Sequence, residues 1–321
     1  MKPTIYILIL LILWQTAANA QQKTRFIAIT IDDLPVVSLK NDLTARQEIT
    51  QKLLKHITGA QIPAIGFVNE TKLYQNGKRD EQEVNLLRQW LNAGLELGNH
   101  TFSHISLNSN PLEKYEDEII RGEIITKELL QAKNMQMRYF RHPYLMTGKS
   151  MKIKRQLARF LAQHNYTIAP VTIDDDDYMF ARVYDLAAER NDQNLRERVG
   201  AAYLPYMESK FDYWERQSVK LFGREPKQIL LIHANSINAE YLDDLAAMLT
   251  KRGYKFVALE NALSDEVYRL PDSYTKGWGI SWLHRWALAK GKRYVLPDEP
   301  GVPNFVAEEY EKFQATRANN Q

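Results

Sequence analysis

The chain has 321 residues, 25% of them charged and 45% hydrophobic, so it can form one large α/β domain or one domain with an appendage. Its net charge of +3 is small for this length and no long basic run is present, which argues against nucleic acid as a partner. The absence of cysteine excludes a disulfide framework and a lipid-attachment cysteine.

The first 20 residues have the pattern of a secretory signal peptide. A basic start at Lys2 precedes an apolar segment over 5–14, and Ala18-Asn19-Ala20 supplies the small residues of a cleavage site. The apolar segment is too short to span a bilayer readily, so an uncleaved anchor is the lesser alternative. We therefore expect an exported protein, periplasmic or secreted, whose mature chain begins at Gln21 and has no stable membrane span.

Strands and helices alternate along the rest of the chain. The predicted strands cover 25–31, 62–68, 95–97, 137–141, 166–173, 228–232 and 254–257, with helices predicted between most of them. This alternation indicates a parallel sheet with crossover helices. The predicted fold is α/β, a distorted (β/α) barrel of about seven parallel strands with an aromatic-rich C-terminal extension. An open doubly wound sheet is the alternative.

Ionisable residues follow the carboxyl ends of five predicted strands. They are Asp32 with Asp33, His100, Arg141, Asp177 and His233. In a parallel barrel these strand ends meet on one face, where the active site is built, and this pattern favours the barrel. Two adjacent carboxylates at the tip of a hydrophobic strand are unfavourable in a core. A plain turn of Asp residues before Pro35 remains the alternative for that pair.

His100 and His104 lie four residues apart with small hydroxyl residues between them. A turn or helix at this point would project both imidazoles to one side, because positions i and i+4 share a helical face. Two neutral imidazoles at this spacing commonly hold a divalent metal, and two unrelated surface histidines are the alternative. With Asp33 they would form a ligand set that leaves positions open for water and substrate.

The remaining polar residues suit hydrolysis of an acyl group. A metal at this set would lower the pKa of bound water and polarise a carbonyl oxygen, which leaves Asp32 free to act as general base. Arg141 is expected to pair with Asp32 and keep it ionised, or else to form a purely structural salt bridge.

Three further residues complete the predicted reaction. His233 is expected to donate a proton to the leaving group, and a histidine that merely closes a strand is the alternative. Asp177 is expected to orient His233 and raise its pKa. Backbone N–H groups near Tyr144 are expected to hold the developing oxyanion.

Five short motifs occur in an order that resembles the polysaccharide deacetylase family, the NodB-homology family also called carbohydrate esterase family 4. The motifs are Thr30-Ile31-Asp32-Asp33, His100-Thr101-Phe102-Ser103-His104, Arg141-His142-Pro143-Tyr144, Asp174-Asp175-Asp176-Asp177-Tyr178 and Leu231-Ile232-His233. The resemblance covers roughly residues 25–259. It implies a distorted barrel, a zinc-like divalent metal, and hydrolysis of N-acetyl or O-acetyl groups on polysaccharides.

Position by position, the resemblance implies a role for each matching residue. It implies a base at Asp32, metal ligands at Asp33, His100 and His104, a partner of the base at Arg141, an oxyanion N–H donor at Tyr144 and an acid at His233. The chain departs from the family at Leu34 and Leu145, where glycine is more usual, and at Tyr178, where tryptophan is usual. These departures are expected to reshape the pocket rim rather than the metal shell.

The predicted function is a metal-dependent hydrolase that removes acetyl groups from an N-acetylated glycan of the peptidoglycan or chitin type. The metal is expected to be Zn²⁺, with Co²⁺ or Ni²⁺ possible, and the acetylated glycan is the expected partner. An esterase acting on O-acetylated xylan, a non-sugar amide hydrolase of the same fold and a non-catalytic glycan-binding protein are the alternatives.

The predicted organisation has three parts. A signal peptide covers 1–20, a NodB-like polysaccharide deacetylase domain covers 21–264 with a helical insertion at about 178–227, and a C-terminal extension covers 265–321. The extension is rich in Trp and Tyr and either packs on the barrel or helps to shape the cleft, packing being the favoured interpretation.

Overall fold

The computed structural model describes residues 24–40, 42–293 and 297–319. The predicted signal peptide over 1–20 lies outside these residues. Across the described ranges, the structure contains no helix that is both long enough and apolar enough to cross a membrane.

The strands form one large parallel sheet and one small hairpin. They are β1 (Arg25–Leu34), β2 (Ile65–Val68), β3 (Tyr74–Gln75), β4 (Lys78–Arg79), β5 (Glu96–Asn99), β6 (Tyr139–Phe140), β7 (Thr167–Ile168), β8 (Gln228–His233) and β9 (Tyr254–Phe256). The large sheet has the order β7-β6-β5-β2-β1-β8, with β9 also paired to β1, and β3 pairs with β4. Beyond β7, Ile173 pairs with Leu230 of β8, so the sheet curls towards itself. The predicted distorted parallel barrel is confirmed.

The helices pack around this sheet. They are α1 (Leu43–Gly59), α2 (Glu81–Asn92), α3 (Leu112–Arg121), α4 (Ile124–Gln131), α5 (Met151–Gln163), α6 (Asp177–Glu189), α7 (Gln193–Phe222), α8 (Ser236–Lys251), α9 (Leu259–Leu263), α10 (Trp282–Ala289) and α11 (Asn304–Asn319). The predicted insertion over 178–227 corresponds closely to α6 and α7, whereas α10 and α11 belong to the predicted extension.

The first strand lies at the centre of the core. Ile27, Ile29 and Ile31 of β1 are each no more than 1% exposed. The neighbouring strands β2 and β8 cover both edges of β1, and β9 covers its first residues. Burial on both faces explains why β1 is almost continuously apolar, as parallel strands between helical layers generally are.

The predicted strands over 62–68, 137–141 and 166–173 are shorter in the structure, as β2, β6 and β7. The predicted strand over 166–173 is regular only at β7, because Pro170 lacks the N–H that a ladder needs and the chain then crosses from β6 towards β8. The helical segment between β5 and β6 is divided at Gly122 into α3 and α4. A Cβ at Gly122 would lie 2.6 Å from the carbonyl carbon of Thr101, so glycine is required where α3 meets the loop after β5.

Candidate functional site

At the C-terminal end of β1 the backbone turns, so that the side chains of Asp32 and Asp33 face the same side. Adjacent side chains on a regular strand point to opposite faces. Asp33 breaks this alternation with a φ of 69°, and the register with β2 shifts over the same residues. As a result, Asp32 Oδ2 and Asp33 Oδ1 each lie 3.7 Å from Nε2 of His100. The Nζ of Lys72 donates to the Asp33 carbonyl at 2.6 Å, which stabilises the turn.

The two histidines after β5 lie on an irregular loop and not on a helix. Thr101 and His104 have φ values of 65° and 57°, and these left-handed residues bring the two imidazole centroids to 4.9 Å. The Thr101 N–H donates to Asn99 Oδ1 at 2.8 Å, which holds the start of the loop. Of the two predicted possibilities, a turn or a helix, the structure has a turn, and both imidazoles lie on one side of it as expected.

Asp33, His100 and His104 bring three ligand atoms within 4.8 Å of one another. Nδ1 of His100 lies 2.8 Å from the Arg141 carbonyl oxygen. Because a carbonyl can only accept, Nδ1 carries the proton and Nε2 keeps its lone pair for a ligand. Asp33 Oδ1 is buried, lies 3.5 Å from His104 Nε2, and has no hydrogen-bond partner in the described part of the chain.

The surroundings give these three groups the protonation states that a metal requires. Burial lowers the pKa of His100 and of His104 to about 4, so both imidazoles are neutral at physiological pH. Burial alone would raise the pKa of Asp33, but Lys72 and the nearby histidines outweigh it and the pKa falls below its ordinary value. A neutral imidazole pair and an ionised carboxylate are the forms that bind divalent cations.

Asp32 lies beside this cluster and is held by a buried arginine. Nη1 of Arg141 is 3.4 Å from Asp32 Oδ2, and Nη2 donates to Thr30 Oγ1 at 2.8 Å. The predicted pair is therefore present. Burial nevertheless raises the pKa of Asp32, because Arg141 and His233 only partly offset it. Asp32 Oδ1 is buried without a hydrogen-bond partner among the described residues.

His233 lies opposite Asp32 in the β1–β8 register and is bound by Asp177. Its Nδ1 is 2.6 Å from Asp177 Oδ1, and its backbone N–H donates to Asp177 Oδ2 at 2.8 Å. Asn235 and Asn238 also donate to Oδ2, at 3.0 and 2.5 Å. Burial lowers the pKa of His233, but the charge and hydrogen bond of Asp177 outweigh it and raise the pKa to about 10.

Tyr144 lies next to the cluster on a short 3₁₀ helix, Pro143–Leu145. Its ring centroid is 4.4 Å from that of His104, and the side chain is 55% exposed. No acceptor within the described ranges is hydrogen-bonded to the Tyr144 N–H. A free N–H at the edge of this cluster has the character of an oxyanion donor.

The three departures from the family motifs do not all lie at the rim. Leu34 is completely buried, and its side chain occupies the space that a Cβ at Gly66 would need, 2.4 Å from Leu34 Cδ2. Leu145 is also buried, at 6% exposure. Only Tyr178, at 44% exposure, lies at the surface. The expectation that all three reshape the rim was therefore wrong, because two of them fill the core beneath it.

Sequence reasoning missed several residues that support the site. Lys72, Thr30, Asn235 and Asn238 each make one of the contacts described above. Asn235 follows His233 by two residues and caps α8, so the pattern of an Asn at a helix start after a strand could have revealed it. The remainder depend on contacts between distant segments, for which the sequence carries no local signal.

Known proteins provide an independent comparison. Residues 19–167 match the family model described as polysaccharide deacetylase. No curated protein matches the chain. A peptidoglycan deacetylase structure from Bacillus subtilis is 17% identical, covering 86% of this chain and 98% of its own, with a TM-score of 0.46.

Two further solved structures have comparable scores. A family 4 carbohydrate esterase from Streptomyces lividans in complex with acetate is 18% identical, covering 74% of this chain and 95% of its own, with a TM-score of 0.44. A CE4 family pseudoenzyme from Bacillus anthracis is 14% identical, covering 76% of this chain and 66% of its own, with a TM-score of 0.45. The family match confirms the motif resemblance over residues 19–167, where the chain is similar to the polysaccharide deacetylase family.

Proposed function

We propose that this protein is a metal-dependent hydrolase that removes acetyl groups from an N-acetylated polysaccharide or oligosaccharide of the peptidoglycan or chitin type. One observation carries the proposal. A buried carboxylate oxygen, Asp33 Oδ1, has no hydrogen-bond partner in the described structure and faces Nε2 of His100 and His104 at 3.7 and 3.5 Å. Such an orphaned acceptor between two neutral imidazoles is unfavourable unless a cation satisfies it.

Asp33, His100 and His104 would hold this cation. Nitrogen and oxygen donors of this kind suit Zn²⁺ best and also accept Co²⁺ or Ni²⁺. Three protein ligands leave positions open for water and substrate, which is the arrangement of catalytic sites. When bound, the cation lowers the pKa of a coordinated water to about 7 and polarises a carbonyl oxygen.

Asp32 acts as the general base. Its Oδ2 is paired with Arg141, which leaves the unpartnered Oδ1 free to accept the proton of the attacking water. Arg141 is itself fixed by Thr30, so the carboxylate cannot rotate away from the cluster without losing its partner. This fixed orientation supports a catalytic role, since a base must lie within hydrogen-bond reach of the proton it removes.

His233 acts as the general acid, and its environment favours an amide substrate over an ester. An amide nitrogen must gain a proton before the sugar amine can leave, whereas the alkoxide of an ester leaves more readily. Asp177 raises the pKa of His233 to about 10, so the imidazole is protonated and able to donate at neutral pH. We therefore favour N-acetyl groups, with the Tyr144 N–H as the donor that stabilises the oxyanion.

Two exposed aromatic rings support a glycan substrate. Tyr144 and Tyr178 are 55% and 44% exposed, and their rings lie against those of His104 and His233 on either side of the cluster. Flat rings of this kind stack on sugar faces.

We also propose export through the 1–20 signal peptide, a catalytic domain over 21–264 with its insertion at 178–227, and an extension over 265–321 that packs on that domain.

The test is acetate release from peptidoglycan, N-acetylated chitooligosaccharides and acetylxylan, measured with Zn²⁺, Co²⁺ or Ni²⁺. We expect release from an N-acetylated glycan, loss of activity with a chelator and recovery on adding metal. Asp32→Asn should lower kcat by about 100- to 10,000-fold, the range for a lost general base, while leaving metal affinity unchanged.

Other outcomes would favour the alternatives. Release only from acetylxylan would identify an esterase, and release only from small amides would identify a non-sugar hydrolase. Glycan binding without acetate release under any metal would identify a non-catalytic binding protein. Turnover that persists after complete metal removal would contradict the role of the cation.

A further inference from the structure

Tyr144 and Leu145 have a backbone conformation that the local sequence does not favour. Their φ values are 56° and 51°, so two consecutive bulky residues occupy the left-handed region. Such residues rarely adopt this conformation, and it persists only where surrounding contacts over-determine it. The contacts that hold this segment therefore also set the direction of the Tyr144 N–H, the proposed oxyanion donor.

Arg285 of α10 makes two hydrogen bonds to the far side of this segment. Its Nη2 donates to the Leu145 carbonyl, and its Nη1 donates to Thr147 Oγ1 at 2.7 Å. The arginine is 1% exposed, so these hydrogen bonds are shielded from water. Buried, charge-assisted hydrogen bonds are stronger and more directional than exposed ones, which makes this an effective anchor.

The guanidinium group is held equally firmly on its own side. Its Nε donates to the Ile280 carbonyl at 2.9 Å, and Nη1 also donates to Asp272 Oδ2 at 2.9 Å. The charged plane lies 4.3 Å from the ring centroid of Trp282. The donors of one planar fork thus join the extension to the Tyr144–Leu145 segment, a geometry that lysine cannot reproduce.

The backbone of the extension also touches Tyr144 directly. A Cβ placed at Gly279 would lie 1.6 Å from the Tyr144 carbonyl oxygen, so only glycine permits this approach. Asn108 joins the two segments further, because its Nδ2 donates to the Gly277 carbonyl at 3.2 Å while its Oδ1 accepts from the Gly148 N–H at 3.0 Å. The 272–285 segment therefore packs tightly on the loop that carries the oxyanion donor.

We propose that Arg285 is a positioning residue for the reaction, acting through the Leu145 carbonyl and Thr147 to aim the Tyr144 N–H at the reacting carbonyl. The inference rests on the proposed function, because only that function gives the Tyr144 N–H its role as oxyanion donor. It also gives the C-terminal extension a catalytic task in addition to packing. Arg285 itself does not touch the substrate.

The test compares Arg285→Lys with the matched control Arg224→Lys. Arg224 is also bound bidentately to a carboxylate of the extension, Asp265, at 2.7 and 2.8 Å, but it does not contact the Tyr144 loop. We expect Arg285→Lys to lower kcat by about 10- to 100-fold, as small displacements of catalytic groups do, with KM and Zn²⁺ affinity within about twofold of wild type. The control should keep wild-type kcat.

A second measurement does not depend on turnover. With ¹⁵N-tyrosine labelling of the zinc-loaded protein, the Tyr144 amide signal is assigned by its loss in Tyr144→Phe. Adding acetate should shift this signal downfield in wild type and in Arg224→Lys, because the carboxylate accepts the N–H hydrogen bond. In Arg285→Lys the acetate-induced shift should be reduced or lost.

The outcomes separate this inference from the function on which it rests. An unchanged kcat and a full acetate-induced shift in Arg285→Lys would overturn the positioning role. Equal losses of kcat in the two lysine variants would also overturn it, since they would reflect stability alone. If wild type released no acetate from any substrate, the proposed function would fail, while the amide shift would still decide whether Arg285 directs the Tyr144 N–H.

Discussion

On the two sides of the site, the pKa values of the histidines are shifted in opposite directions. On the β5 side, burial lowers the pKa of His100 and His104 to about 4. On the β8 side, the pKa of His233 rises to about 10, although burial also opposes its charge. Burial opposes the charged form of all three imidazoles, and only at His233 does the neighbouring carboxylate Asp177 outweigh it.

The difference arises from how each carboxylate is engaged. Asp177 makes a 2.6 Å hydrogen bond to His233, and three N–H donors fix its other oxygen. Asp33 lies 3.5 Å or more from both ligand imidazoles and shares no hydrogen bond with them. A hydrogen-bonded, oriented carboxylate favours imidazolium, whereas a carboxylate at longer range leaves the imidazole neutral. One face of the barrel thereby carries two neutral imidazoles and one protonated imidazole.

The largest effect should come from removing one histidine from each side of the site. His100→Ala removes a neutral ligand, so we expect Zn²⁺ affinity to fall by at least about 100-fold, with deacetylation lost to background. His233→Ala removes the acid, so we expect kcat to fall by about 100- to 10,000-fold at unchanged Zn²⁺ affinity. Titration calorimetry and acetate release measure the two quantities. Equal losses of Zn²⁺ affinity in both variants would contradict the division of roles.

A smaller effect should follow from neutralising the partner of the acid. Asp177→Asn removes the charge that raises the pKa of His233, so this pKa should fall towards its ordinary value. Because the acid works only when protonated, the alkaline limb of the kcat profile should move to lower pH. The profile between pH 5 and pH 11 measures this shift.

The matched control for that experiment is Asp243→Asn. Asp243 pairs with His56 at 3.4 Å on the surface, away from the cleft, so its pH profile should match wild type. An alkaline limb that stays in place in Asp177→Asn would contradict the role of His233 as the protonated acid.

The smallest effect should come from replacing Tyr203, which reaches His233 only through Asn238 and Asp177. Tyr203 donates to Asn238 Oδ1 at 2.6 Å, and Asn238 donates to Asp177 Oδ2. Tyr203→Phe removes one buried hydrogen bond, so we expect kcat to fall by about two- to tenfold and the alkaline limb to move slightly to lower pH. A loss as large as that of Asp177→Asn would indicate that the tyrosine acts directly on the site.

Much of the fold was predictable because it depends on local patterns. The apolar run of β1 and its abrupt end at Asp32 and Asp33 identify a buried parallel strand with a polar tip. The same pattern recurs at His100, Arg141 and His233. Since parallel strands align in direction, polar tips that are far apart in the chain must share one face of the sheet. This geometric rule is why the candidate site could be assembled from sequence before any contact was known.

The parallel strands, the order of the motifs and the polar residues at the strand ends could all be read from the sequence, because strand periodicity and turn chemistry are properties of neighbouring residues. The left-handed turns at Asp33 and His104 and the anchor from Arg285 to the Tyr144 loop are visible only in the folded chain. These features depend on burial and on contacts between segments that are distant in the sequence. The Lys72–Asp33 contact spans 39 residues, and the Arg285–Leu145 contact spans 140.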